Sequence, residues 1–122
     1  MKIRIKGNSI RFRLTKKEVD DFSAHGFIEE KTDFGINHFS YRMETSIVND
    51  FLSADYSGNK ITIHVPKKIA EEWTSTGQIG FEHKMEIGND KYLFLLVEKD
   101  FVCLDNTFED QSDNYPNPNA VC

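Results

Sequence analysis

Six side chains in this sequence are of the types that bind a transition metal. They are Cys103, Cys122, Asp105, Asp113, His64 and His83. Zinc takes three or four ligands of these kinds, but the eighteen residues between the two cysteines match no compact zinc module. Two ordinary reduced thiols are the simpler interpretation in a cytoplasmic chain. The strand pattern places His64 on a solvent-facing side and His83 on a partly buried side, so zinc and ordinary side chains both stay open.

Five cations near the start of the chain could instead bind an anion. They are Lys2, Arg4, Lys6, Arg11 and Arg13. Alternation with apolar residues predicts that all five lie on the outer face of one β-hairpin. Like charges on paired strands repel each other, so phosphate, a nucleotide or an acidic protein partner would be stabilising there. Two alternatives stay open: the cations are solvated, or the acidic C-terminal segment covers them.

The sequence carries none of the common catalytic signatures: no P-loop, no Gly-x-Ser-x-Gly, no His-Glu-x-x-His and no Cys-x-x-Cys. If the strands closed into a barrel, charged side chains would line a lumen, as in tunnel-type enzymes that act on triphosphates. Glu29, Glu30 and Glu82 would then be the acids for a metal. The alternating acidic pattern that such enzymes carry near the N-terminus is missing, because residues 2–6 contain no Glu.

Residues 58–79 repeat residues 7–28 at an offset of 51 positions without a gap. Gly7 aligns with Gly58, Asn8 with Asn59, Gly26 with Gly77 and Ile28 with Ile79, and Phe22 aligns with the aromatic Trp73. Two copies are too few for a solenoid, which needs three or more. We therefore predict a tandem duplication, with copy one at 1–45 and copy two at 51–98.

Each copy reads as strand–strand–helix–strand–strand. The predicted strands are 2–6, 9–14, 27–32 and 39–45, followed by 51–56, 60–65, 80–87 and 91–98. The first helix begins with a Thr15–Glu18 capping box and ends at Gly26, and the second begins at Pro66 and ends at Gly77. The apolar run 92–97 predicts the most central strand. The expected fold is α+β: a pseudo-two-fold antiparallel sheet assembly, or a barrel, with two helices.

Length and composition indicate one domain, 1–122, because 122 residues with 29% charged and 39% hydrophobic residues are typical of a single globular unit. Residues 99–122 form an irregular acidic tail whose apolar residues predict packing on the body. The net charge of −5 argues against nucleic acid as a partner. With no apolar run long enough for a membrane span and no signal-peptide pattern, we expect a cytoplasmic protein. A homodimer stays open.

The opening run Lys2-Ile3-Arg4-Ile5-Lys6-Gly7-Asn8-Ser9-Ile10-Arg11 and the close, 98–105 and 109–118, resemble a family of short uncharacterised bacterial proteins. The resemblance covers essentially the whole chain and implies one intact domain, with no known activity, cofactor or catalytic residue. We therefore expect a non-enzymatic binding or interaction domain, with an unknown protein partner or a small anion as its ligand. The alternative is a small metal-dependent enzyme, or a metal-binding protein, that uses the tail cysteines and carboxylates.

Overall fold

A computed structural model describes residues 1–102 and 112–116. Its elements in chain order are β1 (Lys2–Lys6), β2 (Ser9–Leu14), α1 (Lys16–His25), β3 (Phe27–Asp33), β4 (His38–Ser46), β5 (Ser53–Ser57), β6 (Lys60–Pro66), α2 (Lys67–Ser75), β7 (Gly80–Gly88) and β8 (Lys91–Lys99). This order confirms the α+β prediction, with one helix between the two strand pairs of each copy. The prediction that the tail packs on the body concerns mostly residues outside the described ranges.

The first helix is delimited by its own sequence. The Glu18 amide donates to the Thr15 hydroxyl at 3.3 Å, and the Thr15 amide donates to the Glu18 carboxylate at 2.9 Å, so the predicted capping box is formed. Gly26 ends the helix at φ 80°, a left-handed conformation that glycine adopts without a side-chain clash.

The second helix ends differently from the prediction. Its C-cap is Thr76 in an extended conformation, and not Gly77. The hydroxyls of Ser75 and Thr76 donate to the carbonyls of Glu71 and Glu72 at 2.6 and 2.7 Å. These bonds satisfy acceptors that helix ends leave without partners, so no left-handed glycine is needed.

The strands form two four-stranded sheets. The first sheet has the order β1-β2-β8-β7 and the second has the order β3-β4-β6-β5. Every hairpin is antiparallel, but the two central strands of each sheet run parallel, β2 beside β8 and β4 beside β6. The barrel alternative is wrong, because the strands divide into two separate sheets. Each sheet contains one hairpin from each half of the chain.

The pairing registers of the two halves correspond. Adding 51 to the β1–β2 pair Lys2↔Arg13 gives the β5–β6 pair Ser53↔His64. Offsets of 53 for β3 and 54 for β4 convert the pair Phe27↔Glu44 into the β7–β8 pair Gly80↔Glu98. The structure is therefore consistent with a duplicated unit. The sequence alignment of Ile28 with Ile79 does not persist in space, because two extra residues follow α2.

The core lies between the inner faces of the two sheets, and the helices cover one end of it. Its largest fully buried side chains come from both halves: Trp73, Phe12, Phe22, Leu14, Met43, Ile63, Leu95, Val65 and Val97. Phe22 and Trp73 occupy equivalent positions of α1 and α2 and meet edge to face, with ring centroids 6.4 Å apart. Among the helices of the described residues, none is long and apolar enough to cross a membrane.

Candidate anion-binding site

The outer face of the first sheet is a lattice of three cross-strand rows. The strand registers define them in the order β1, β2, β8, β7 as Lys6, Ser9, Phe94, Lys84; then Arg4, Arg11, Leu96, Glu82; then Lys2, Arg13, Glu98, Gly80. The five cations predicted to share this face therefore do so. The residues beside them on β8 and β7 could not be identified from the sequence alone.

The cations are packed closely enough to disfavour their own charge. Arg4 pairs directly with Arg11 across the hairpin, and Lys2 with Arg13. Burial lowers the pKa of Arg11, and Arg13 and Arg4 lower it further, while Glu98 opposes these effects. A guanidinium stays protonated in proteins, so the site keeps a positive charge that an anion would stabilise.

One end of this face is already neutralised by the chain itself. Glu98 is only 3% exposed, and its Oε1 accepts from Arg13 Nε at 3.0 Å and Arg13 Nη2 at 2.6 Å. Arg11 Nε lies 3.6 Å from the same oxygen. Lys2 Nζ lies 3.0 Å from Asp100 Oδ2, so the first acid of the 99–122 segment does contact the cationic face.

The other end of the face contains a groove of about 280 Å³. Its lining combines cations with apolar side chains: Arg4, Lys6, Ser9, Ile10, Arg11, Glu82, Phe94, Leu95 and Leu96. Ser9 is the small residue of its row, and its hydroxyl donates to the Lys6 carbonyl at 2.6 Å. We call this depression the cationic groove. It offers charged donors on one side and an aromatic ring on the other.

The equivalent face of the second sheet is charge-balanced. The positions equivalent to Arg4, Lys6 and Arg11 are occupied there by Asp55, Ser57 and Thr62, following the offset of 51. The cation cluster is therefore not a requirement of this sheet architecture.

The charges of the second sheet pair with each other. Lys60 Nζ lies 2.9 Å from Glu29 Oε1, and Arg42 lies 3.4 Å from Glu29 and 3.3 Å from Glu44. The Lys60 hydrogen bond, together with Arg42, holds the pKa of Glu29 below its ordinary value against the effect of burial. This face neutralises itself and has no need of a bound ion.

The hairpin that carries the cations is tied to the rest of the molecule at its start. The Met1 ammonium contacts Glu18 and donates to Glu30 at 2.8 Å, and the Tyr41 hydroxyl donates to the Met1 carbonyl at 2.7 Å. Burial alone would lower the pKa of this ammonium, but the hydrogen bonds from Glu18 and Glu30 outweigh it and raise the pKa. These contacts connect β1 to α1 and to the second sheet.

The sequence resemblance is confirmed by a match along nearly the whole chain. The family model of DUF7009, a family of unknown function, matches residues 1–119. This chain belongs to that family. No curated protein and no solved structure matches it. The site of this DUF7009 protein therefore has to be interpreted from its own geometry.

The two histidines predicted as metal ligands lie in different sheets of this DUF7009 protein. His64 is on the outer face of the second sheet, with Nδ1 3.2 Å from Glu44 and Nε2 2.6 Å from Asp55. His83 is on β7 in the first sheet, and its ring stacks on Phe51 with centroids 5.3 Å apart. The carboxylates at His64 were missed because only the tertiary register places them there.

The other predicted metal ligands are not brought to these histidines by anything the structure describes. Asp113 is described and exposed, whereas Cys103, Cys122 and Asp105 lie outside the described residues. Within residues 1–102 and 112–116, no group of three His, Cys, Asp or Glu side chains is arranged to hold a metal ion.

The acids of the tunnel-type hypothesis also do not converge. Glu29 lies on the outer face of the second sheet and Glu82 on the outer face of the first, while Glu30 contacts the Met1 ammonium. Because the strands enclose no barrel lumen, these side chains have no common cavity to face.

Proposed function

We propose that this DUF7009 protein is a non-enzymatic, cytoplasmic binding domain that takes an anionic ligand in the cationic groove. The ligand is a small anion or an anionic group of a protein partner. The observation that carries the proposal is the contrast between two equivalent faces: one pairs its charges internally, and the other concentrates cations around a groove.

The energetics support binding at this place. Like charges directly opposite on paired strands are destabilising by roughly 0.2–1 kcal/mol per pair, and the first hairpin has two such pairs. Glu98 and Asp100 compensate the Lys2–Arg13 end. A charge-assisted hydrogen bond to a phosphate contributes about 1.5–3 kcal/mol, so two or three of them would give measurable affinity.

The groove is suited to binding without covalent chemistry. Its hydroxyl, Ser9, donates to a main-chain carbonyl of its own hairpin. His64 and His83, which could act as bases, are both absent from its lining. The groove residues therefore supply positive charge and an apolar contact surface, which are the requirements of recognition.

The test is a nuclear magnetic resonance titration with inorganic pyrophosphate. The variant Arg4→Asp, Lys6→Ser, Arg11→Thr introduces the residues that occupy the equivalent positions of the second sheet. We expect the backbone amides of β2 and β8 to shift in the unmodified protein. The variant should bind at least about tenfold more weakly, because each lost charge-assisted bond is worth more than a factor of ten.

A matched control makes the same change of charge away from the groove. Lys16→Asp, Lys17→Ser, Lys68→Thr alters exposed lysines of the two helices and should bind pyrophosphate with unchanged affinity at constant ionic strength. If the groove variant binds as tightly as this control, or if no amide of the first sheet shifts, the proposed function is wrong.

A further inference from the structure

Phe94 is the one large aromatic ring in the lining of the cationic groove, and its exposure is unusual for its place in the fold. It lies on β8, which has β2 on one side and β7 on the other, yet its side chain is 53% exposed. The equivalent position of the second sheet is Ser40, which is 1% exposed. A central strand therefore does not require an aromatic residue here, and the ring forgoes part of the free energy of burial.

The ring and the cations are close neighbours with little between them. In the first row of the lattice, Ser9 is the only residue between Lys6 and Phe94. Adjacent strands lie about 4.8 Å apart, so a group that stacks on the ring has its next substituent over Ser9. Arg11 follows Ser9 on the same face of β2, about 7 Å further along the strand.

We infer that the ligand of the cationic groove is a mononucleotide, with its base on Phe94 and its phosphate between Lys6, Arg4 and Arg11. This inference rests on the proposed function, because it names the class of anion that the same groove takes. Base–aromatic stacking tolerates different bases, since every base has a flat π-face. The groove volume of about 280 Å³ is the scale of one small ligand.

The neighbours of the ring limit where the base lies. Lys84 Nζ is 4.1 Å from the ring centroid of Tyr92 and 5.7 Å from that of Phe94, so this ammonium occupies the side of Phe94 away from the cations. The free part of the ring faces Leu96 and the groove. Glu82, beside Leu96, places a carboxylate acceptor at the groove wall, where an amino group of a base or a hydroxyl of a sugar can donate to it.

A single nucleotide fits this surface better than a nucleic-acid strand. The cations occupy three rows, which span about 13 Å along the strands, and the Lys2–Arg13 row is already paired with Asp100 and Glu98. The remaining charge suits one phosphate group and not a series of them. The net charge of −5 also opposes the approach of a long polyanion.

The experiment compares adenosine monophosphate, inorganic phosphate and adenosine as probes of the full chain by calorimetric and magnetic-resonance titration. We expect adenosine monophosphate to bind about tenfold more tightly than inorganic phosphate. Phe94→Ser, the residue of the equivalent position, should weaken binding of the nucleotide about tenfold and leave phosphate binding unchanged. Phe94→Leu keeps apolar bulk without the flat ring and should fall between the two.

The outcomes separate this inference from the proposed function. If Phe94→Ser does not weaken nucleotide binding, or if adenosine monophosphate binds no better than phosphate, the ring has no role and only the inference is wrong. If neither anion binds the unmodified protein, both are wrong. If a ten-residue oligothymidylate binds more tightly per nucleotide than adenosine monophosphate, the ligand is a strand and the inference is overturned. Because Phe94 is half exposed, its variants should keep the fold, which an unchanged melting temperature confirms.

Discussion

At the scale of single residues, two acids hold equivalent positions with different partners. Glu98 on β8 pairs with Arg13 on β2, and Glu44 on β4 pairs with His64 on β6. Glu98 is buried, whereas 32% of the Glu44 side chain is exposed. The same position of the lattice therefore carries a buried ion pair in one sheet and a more solvated pair in the other.

We predict that Glu98→Gln lowers the free energy of unfolding by about 2–3 kcal/mol, because it leaves Arg13 and Arg11 side by side without their compensating charge. Urea unfolding followed by the fluorescence of Trp73, the single tryptophan, measures the change.

Glu44→Gln is the matched control for that change, and it should lower the free energy of unfolding by less than about 1 kcal/mol because its ion pair is more exposed. Equal effects of the two substitutions would contradict the role assigned to burial of Glu98.

At the scale of elements, β7 and β8 approach closely where they begin and end. Gly80 of β7 lies opposite Glu98 of β8, and a Cβ atom at Gly80 would lie 2.5 Å from the Val97 carbonyl oxygen. The equivalent residue of β3 is Phe27, whose ring has the Arg42 guanidinium 4.2 Å from its centroid. A glycine at this point of β7 therefore lets the hairpin close tightly around the buried acid.

We predict that Gly80→Ala lowers the free energy of unfolding by about 1–3 kcal/mol, because the two strands must separate to admit the methyl group. Thermal unfolding monitored by circular dichroism checks this. Gly77→Ala, where an added Cβ meets nothing within 4 Å, should leave the melting temperature unchanged or slightly raised. If Gly80→Ala is as well tolerated as Gly77→Ala, the close approach at β7 has no energetic role.

At the scale of the whole molecule, the two halves share their sheets and their core. Each sheet takes one hairpin from each half, and the equivalent residues Phe22 and Trp73 contact each other between the helices. Trp73 is fully buried, and its indole N–H donates to the Ile79 carbonyl at 3.1 Å. Neither half can bury its apolar surface without the other.

We predict that Trp73→Ala destabilises the protein by about 3–5 kcal/mol, because it removes the largest side chain of a core that both halves build. Amide hydrogen exchange should show β2 and β6 losing protection together, as one cooperative unit. Trp73→Phe, which places the residue of α1 at the equivalent position of α2, should be tolerated better. Loss of protection in the second half alone would show that the halves unfold independently.

Much of the local structure was readable from the sequence. The capping box at Thr15 predicted where α1 begins, and the charge alternation at 2–6 predicted the outward cations. The end of α2 was predicted wrongly at Gly77, because hydroxyl groups satisfied the helix end in place of a left-handed glycine. The cationic half of the candidate site was therefore predictable, whereas its aromatic half was not.

By itself, the sequence determined the hairpins, the two helices, the correspondence of the two halves and the side of the first hairpin on which its cations lie. These features depend on neighbouring residues, through strand alternation, capping and the offset of 51 positions. Only the tertiary structure decided that β2 runs parallel to β8, which places Phe94 beside Ser9 although they are 85 positions apart in the chain. It also decided that the sheets stay separate and that His64 and His83 do not meet. Pairing between distant strands depends on how both halves bury one core, and no local pattern encodes that register.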